Sequence, residues 1–270
     1  MMNLKHCRLL AFSAIVLAPV ATFAQTWVSY DKTQDVLLGF REAGQPDLVL
    51  DLGSYTTFDS AKTIPSSSLQ GVYGSNLDGI TWSAFGTIWT SSSDPNWKTV
   101  FATDPGTVNG VQVGETGPWQ NQSAALQASS GTKIYSFGGG LNTAVSASLQ
   151  SVNVLAANAL TLAPNGTSTD KSYTYLMTHT GTGNFMNTFQ GGESVEQTLP
   201  AGFSAGSVDQ KMDLYQLVPG GTGNATLLGT LDVAPGGTIT YTPTPEPSTY
   251  VLGALGFLGL VGSRWFARRA

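Results

Sequence analysis

Gly202-Phe203-Ser204-Ala205-Gly206 has the glycine–serine–glycine spacing that sets a serine hydroxyl on a sharp turn as a nucleophile. Such a serine needs a histidine to take its proton and a carboxylate to orient that histidine. His179 is the single histidine beyond the first 24 residues, and it precedes Ser204, against the serine-first order that this turn serves. A histidine-first order would draw its acid from Glu193 or Glu196, which are few and crowded close together. Lys211-Met212-Asp213 reads as strand where the elbow needs a helix. The pattern is a short one in a chain with 32 glycines, and we assign no catalytic residue to it.

Metal chemistry has equally little to draw on. One histidine and no cysteine in the body leave no ligand set of the usual zinc or copper kinds, so no metal residue is assigned. Calcium needs only oxygen ligands, and Asn76-Leu77-Asp78-Gly79 carries a fragment of that spacing without the rest of a calcium loop; a tight turn accounts for it. No cofactor is expected, and calcium alone is left open, without a ligand set to support it. Glu42, Glu115, Glu193 and Glu196 are the glutamates of the body, and a glycoside-cleaving pair cannot be chosen among them by spacing, because its members come from distant strands.

The tryptophans say more. Trp82, Trp89, Trp97 and Trp119 fall within fewer than about forty residues. If Ile80–Thr90 is one strand, Trp82 shares a face with Ile80 and Ile88, while Phe85 and Trp89 take the other. A central strand would bury both faces, which makes most of this cluster core. The sharper reading is a platform on which sugar rings stack, with Trp89 and Trp97 as its first candidates.

Charge narrows the partners. Between Gln25 and Pro245 there are seven lysines and arginines against sixteen acids, a net charge of −9. That excess repels phosphate backbones and anionic lipid, so nucleic acid is not an expected partner. The only cysteine, Cys7, lies in the leader, so the body has no disulfide and must be held by its core and its sheet hydrogen bonds.

The two ends carry addresses. Lys5 and Arg8 precede an apolar run, Leu9–Ala18, and Thr22-Phe23-Ala24 offers small residues for cleavage between Ala24 and Gln25 by signal peptidase. At the other end, Pro245-Glu246-Pro247-Ser248-Thr249 follows a Pro-rich stretch from Thr242. Tyr250–Val261 is then almost wholly apolar, and Arg264, Arg268 and Arg269 make a basic finish. Counted through Ala267, with the arginines snorkelling on the cytoplasmic side, that segment reaches a usable spanning length.

Taken together, Pro245, Glu246 and Pro247, the Leu/Gly-rich stretch and the arginines resemble the PEP-CTERM sorting tail, over about the last 26 residues. The resemblance implies recognition by an exosortase, a membrane-embedded processing enzyme, and delivery of the body to the cell surface or polysaccharide matrix. Leu37-Leu38-Gly39-Phe40-Arg41, Asp51-Leu52-Gly53, Asp213-Leu214-Tyr215 and Leu228-Gly229-Thr230 are similar to bodies of some PEP-CTERM proteins of unassigned function, which implies a β-rich domain and no activity.

The elements that would position these residues read as strands between turns. Strands are expected at Asp35–Phe40, Asp47–Leu52, Ile80–Thr90, Thr99–Ala102, Val111–Val113, Lys133–Phe137, Ser172–Thr178, Met212–Val218, Thr226–Val233 and Thr238–Tyr241. Asn121–Ser129 reads as a short helix. Thr143–Leu160 places Val145, Leu149, Val152, Leu155 and Ala159 at near-helical spacing, although a strand pair is equally defensible.

The expected architecture is one all-β domain, a β-sandwich or jelly roll with one or two short helices, over residues 25–242. A signal peptide (1–24), a Pro-rich stem (243–249) and a transmembrane, basic sorting tail (250–270) flank it. The expected function is that of an exported, non-enzymatic structural or adhesive protein of the surface or extracellular matrix. Carbohydrate binding through exposed tryptophans is the alternative, and a polysaccharide-active hydrolase a more distant one. The expected partners are signal peptidase, exosortase and extracellular polysaccharide, with the membrane touched only through the tail.

Overall fold

Alternation along the first strand shows how the domain is built. In β1 (Asp35–Arg41), Val36, Leu38 and Phe40 enter one hydrophobic core while Leu37 enters a second, so both faces of the strand are covered. The computed structural model describes residues 30–109, 111–113, 119–146, 152–156, 159–162, 172–178 and 194–244. The expected signal peptide, the Pro245-Glu246-Pro247 motif and the tail beyond it lie outside the described residues.

After β1 the chain forms β2 (Asp47–Ser54), a 3-10 turn at Tyr55–Thr57, β3 (Lys62–Ile64) and α1 (Ser67–Tyr73). Then come β4 (Thr81–Thr87), β5 (Val100–Asp104), the small pair β6 (Thr107–Val108) and β7 (Val111–Gln112), and the long helix α2 (Ala124–Ser146). The hairpin β8 (Val152–Ala156) and β9 (Ala159–Leu162) precedes α3 (Tyr173–Thr178). The series closes with β10 (Gln197–Thr198), β11 (Gln210–Leu217), β12 (Thr226–Val233) and β13 (Ile239–Pro243).

All but β6 and β7 belong to one curled antiparallel sheet in the order β3-β13-β12-β11-β5-β4-β1-β2-β9-β8. β10 lies off that path, against the start of β4. The expected all-β class therefore holds, and its strands form one continuous layer with a core on each face instead of two stacked sheets. On the first face Trp82, Leu50, Met212 and Leu231 share a core with Phe58, of the segment that crosses from β2 to β3, and with Leu69 of α1. Tyr55 there stacks on Phe101 at 5.3 Å, and Phe58 meets Tyr241 edge-on at 4.8 Å. On the second face Leu37, Val49, Phe85 and Leu217 are covered by Ile134, Phe137 and Leu141 of α2 and by Tyr173 and Leu176 of α3.

β4 pairs with β10 through Thr81 and Trp82, and with β5 through Phe85, Gly86 and Thr87. Between the two, Thr103 Oγ1 accepts the Ala84 N–H at 3.1 Å and donates to the Val195 carbonyl at 2.7 Å, bridging the fork with a side chain.

Three expectations are corrected. Lys133–Phe137 lies inside α2; of the two readings open for Thr143–Leu160, helix holds only to Ser146, where α2 ends, and the strand pair holds in β8 and β9. Helix is favoured over 124–146 because Gln127, Ile134 and Leu141 recur every seven residues against the sheet, all buried. At 23 residues it is no short helix. Ser172–Thr178, expected as a strand, is helical as α3 from Tyr173 onward. Ser172 Oγ accepts the Tyr175 N–H at 3.1 Å, a local cap, and Asp47 on β2 accepts the Thr174 N–H at 2.8 Å. No helix among the described residues is long and apolar enough to cross a membrane.

Candidate functional site

The aromatic cluster begins where β4 ends. Ile88 N–H donates to Thr99 O at 2.9 Å and Lys98 N–H to Ile88 O at 2.8 Å, closing a loop over residues 89–98. Asp94 organises that loop, accepting Thr90 Oγ1 at 2.7 Å and the Asn96 N–H at 2.8 Å, while its carbonyl accepts the Trp97 N–H at 3.0 Å. Trp97 is thereby folded back onto Trp89, their rings 6.0 Å apart and tilted by 57°.

α2 supplies a third ring. Tyr135 lies 5.9 Å from Trp89 at 37°. One turn earlier on α2, Gly131 leaves room for Trp89: a β-carbon there would sit 3.1 Å from Trp89 Cζ3. Lys98 Nζ stands 4.0 Å over the Trp97 ring and Lys32 Nζ 4.4 Å over Tyr135. Trp89, Trp97, Tyr135 and both lysines are half-buried. The structure thus brings together the two tryptophans that sequence singled out, and it adds Tyr135, which sequence reasoning missed because its segment read as strand. Trp82 and Trp119 are fully enclosed; Trp119 Nε1 donates to Thr103 O at 2.8 Å.

The serine and calcium-like patterns hold one another. Asp78 accepts the N–H of Gly202 at 2.6 Å and of Ser204 at 2.9 Å, and Ser204 Oγ accepts the Leu77 N–H at 2.6 Å. Those two backbone bonds keep the Asp78 carboxyl below the usual carboxylate range. Gly202 takes φ 78°, as a turn glycine does. His179, Glu193 and Glu115 lie outside the described residues.

Other acids are engaged in the same way. Glu196 forms a two-pronged ion pair with Arg41, at 2.9 and 2.8 Å, and accepts Tyr173 Oη at 2.8 Å. Asp213 accepts the Asn109 N–H at 2.7 Å and Thr230 Oγ1 at 2.6 Å. A shallow cleft of about 320 Å³ lies between Pro105, Val108, Val113, Gln197 and Lys211. Among the described residues no three acids, histidines or cysteines are grouped to hold a metal ion.

Residues 243–269 match the PEP-CTERM protein-sorting motif. The motif begins on the last residue of β13, so the sorting segment follows directly from the sheet. It implies an exported protein whose tail is recognised by exosortase. No curated protein and no solved structure matches the chain.

Proposed function

We propose that the protein is a non-enzymatic structural or adhesive component of the cell surface or extracellular matrix. Its tail would act as a transient or permanent anchor until exosortase acts on it. The sorting motif at residues 243–269 is the observation that carries this reading. The way the described acids are used supports the non-enzymatic part: Asp47, Asp78, Asp213 and Glu196 are each committed to backbone N–H groups or an ion pair that hold elements together. The test is cell fractionation of the producing strain and of the same strain without its exosortase, with Glu246→Ala beside the wild type. Release to the surface or matrix fraction in the parent, with retention in the membrane in the other two, supports the reading. Identical distribution in all three rejects it.

The second reading is carbohydrate binding at the Trp89–Trp97–Tyr135 cluster. It is favoured by one observation: these rings are mutually packed yet only partly buried, beside a loop rich in hydroxyl and amide groups, Thr90 to Asn96. Titration of oligosaccharides into the purified protein, with Trp89→Ala beside it, tests this reading. Among the described residues both cores draw on positions from Tyr30 to Tyr241.

A further inference from the structure

Three rings and two cations make a contiguous strip: Lys32 over Tyr135, Tyr135 against Trp89, Trp89 against Trp97, and Trp97 under Lys98. The strip draws on three separate parts of the chain: the segment before β1, the loop after β4, and α2. Two features set it apart from ordinary packing.

The first is the state of the cations. The body has only seven lysines and arginines against sixteen acids, so carboxylate partners are plentiful. Arg41 and Lys211 take them, pairing with Glu196 and Asp232. Among the described residues Lys32, Lys62, Lys98 and Lys133 form no ion pair; the first three rest their ammonium groups on ring faces, and Lys32 and Lys98 alone do so on one shared aromatic strip. A ring face offers an ammonium about 0.5–1 kcal/mol at an exposed site, less than a well-placed anion in a water-poor site would.

The second is the backbone of Lys98. Its φ of 72° is in the left-handed region, which costs a residue with a β-carbon about 1–2 kcal/mol and which glycine adopts freely. A lysine kept there holds a positive charge beside Trp97 at the expense of local strain.

We propose that this strip binds acidic polysaccharide, a glycan bearing carboxylate or sulfate groups, with sugar rings against the aromatic side chains and anionic groups on Lys32 and Lys98. The proposal rests on the carbohydrate reading and assigns it a charge class. Asp31 and Asp94 are the nearest acids in the same loops, and both are turned into their own turns. Asp31 accepts from Thr33 and Gln34, and Asp94 from Thr90 and Asn96. Their charge, and the body's net charge of −9, repel an anionic glycan at long range, so attraction acts only at contact, where an ammonium leaves a ring face to meet the ligand anion.

The test is calorimetric titration of the purified protein with three probes of similar length: an oligogalacturonate, a sulfated dextran oligomer and neutral dextran. Lys98→Gly is the decisive variant, because it removes the charge while relieving the left-handed strain, and so leaves the protein folded; Lys32→Gln is its companion. The expected result is saturable binding of at least one anionic probe, with neutral dextran at least tenfold weaker and each variant losing about tenfold. Their melting temperatures should stay within a few degrees of wild type. The carboxylate and sulfate arms then identify which anion is preferred. Equal affinity for anionic and neutral probes, unchanged in Lys98→Gly but lost in Trp89→Ala, overturns the charge assignment and keeps the carbohydrate reading. No binding of any probe overturns both.

Discussion

Asp78 and Ser204 are joined by a reciprocal clasp: the carboxylate of one accepts the N–H of the other at 2.9 Å, and Ser204 Oγ accepts the N–H of Leu77, next to Asp78, at 2.6 Å. Two loops far apart in sequence are thereby locked together. Ser204→Ala removes an acceptor from a backbone N–H and is expected to cost about 1 kcal/mol. Asp78→Ala is expected to lower stability as well. Urea unfolding of both single variants and the double should show non-additive losses, since they break one clasp. The Asp78 carboxyl is held below its unfolded-state value. Its contribution is therefore present above about pH 4 and fades as the pH falls through the lowered value.

Tyr173 occupies the space that a side chain at Gly39 would need: a β-carbon there would fall inside contact distance of three of its ring atoms. The ring stacks on Phe85 at 5.7 Å, and its hydroxyl reaches Ser83 at 2.8 Å and Glu196 at 2.8 Å. Gly39→Ala must push that ring out and break its bonds, an overpacking cost of about 1–3 kcal/mol. Tyr173→Leu in the same background should recover part of the loss in thermal unfolding, and a failure to recover any would show that the strain lies elsewhere.

Adjacent glycines on α2 should respond in opposite directions. A β-carbon at Gly138 would overlap the Tyr30 ring, whereas at Gly139 it would meet Lys32 atoms at an ordinary 3.5 Å. Alanine is favoured over glycine in a helix by about 1 kcal/mol. Gly139→Ala should therefore raise the melting temperature by a few degrees, and Gly138→Ala should lower it because displacing Tyr30 outweighs the propensity gain. Scanning calorimetry of the two variants decides the matter.

Asp51 gives the domain an uncommon pH dependence. Burial pushes its carboxyl up to about 7, with the nearby carboxylates of Asp35 and Asp31 adding to the effect, against the Gly53 N–H and Lys62, which lower it. An acid whose folded value lies above its unfolded value binds more protons when folded. Its stabilising effect is full below about pH 4 and is lost as the pH rises towards 7. Asp51→Asn keeps an acceptor for Gly53 and cannot ionise. It should match the wild type near pH 4 and exceed it in melting temperature at pH 8. Equal temperatures at pH 8 would count against this assignment.

How much of this was legible in the sequence depended on whether the deciding contact was local. β12 at Thr226–Val233 was readable to the residue, and β1 and β2 nearly so, because alternation and flanking turns are local signals. The α3 segment was misread because part of its cap, Asp47, comes from a distant strand and leaves no mark beside Ser172. Lys133–Phe137 reads as a strand in the sequence, and what its helix packs on, such as the ring of Tyr30 against Gly138, lies far off along the chain. The pairing of Trp89 and Trp97 was suggested by their closeness in sequence; Tyr135 joined them only through the packing of α2, which no spacing announces.

The meeting of Phe58 with Tyr241 has a consequence in time. β3 finds its partner in β13, and β2 and β5, each paired with a near neighbour in sequence, take β9 and β11 as their second partners, so part of the layer is assembled from segments that emerge far apart. Closing such long loops costs entropy before the contacts return it, which makes acquisition of the native state slow. Tyr241 comes at the end of the body, and the first core stays open until it arrives. A chain with this wiring cannot close its first core before β13 is in place, so its fold is completed from the C-terminal strand that leads into the sorting segment.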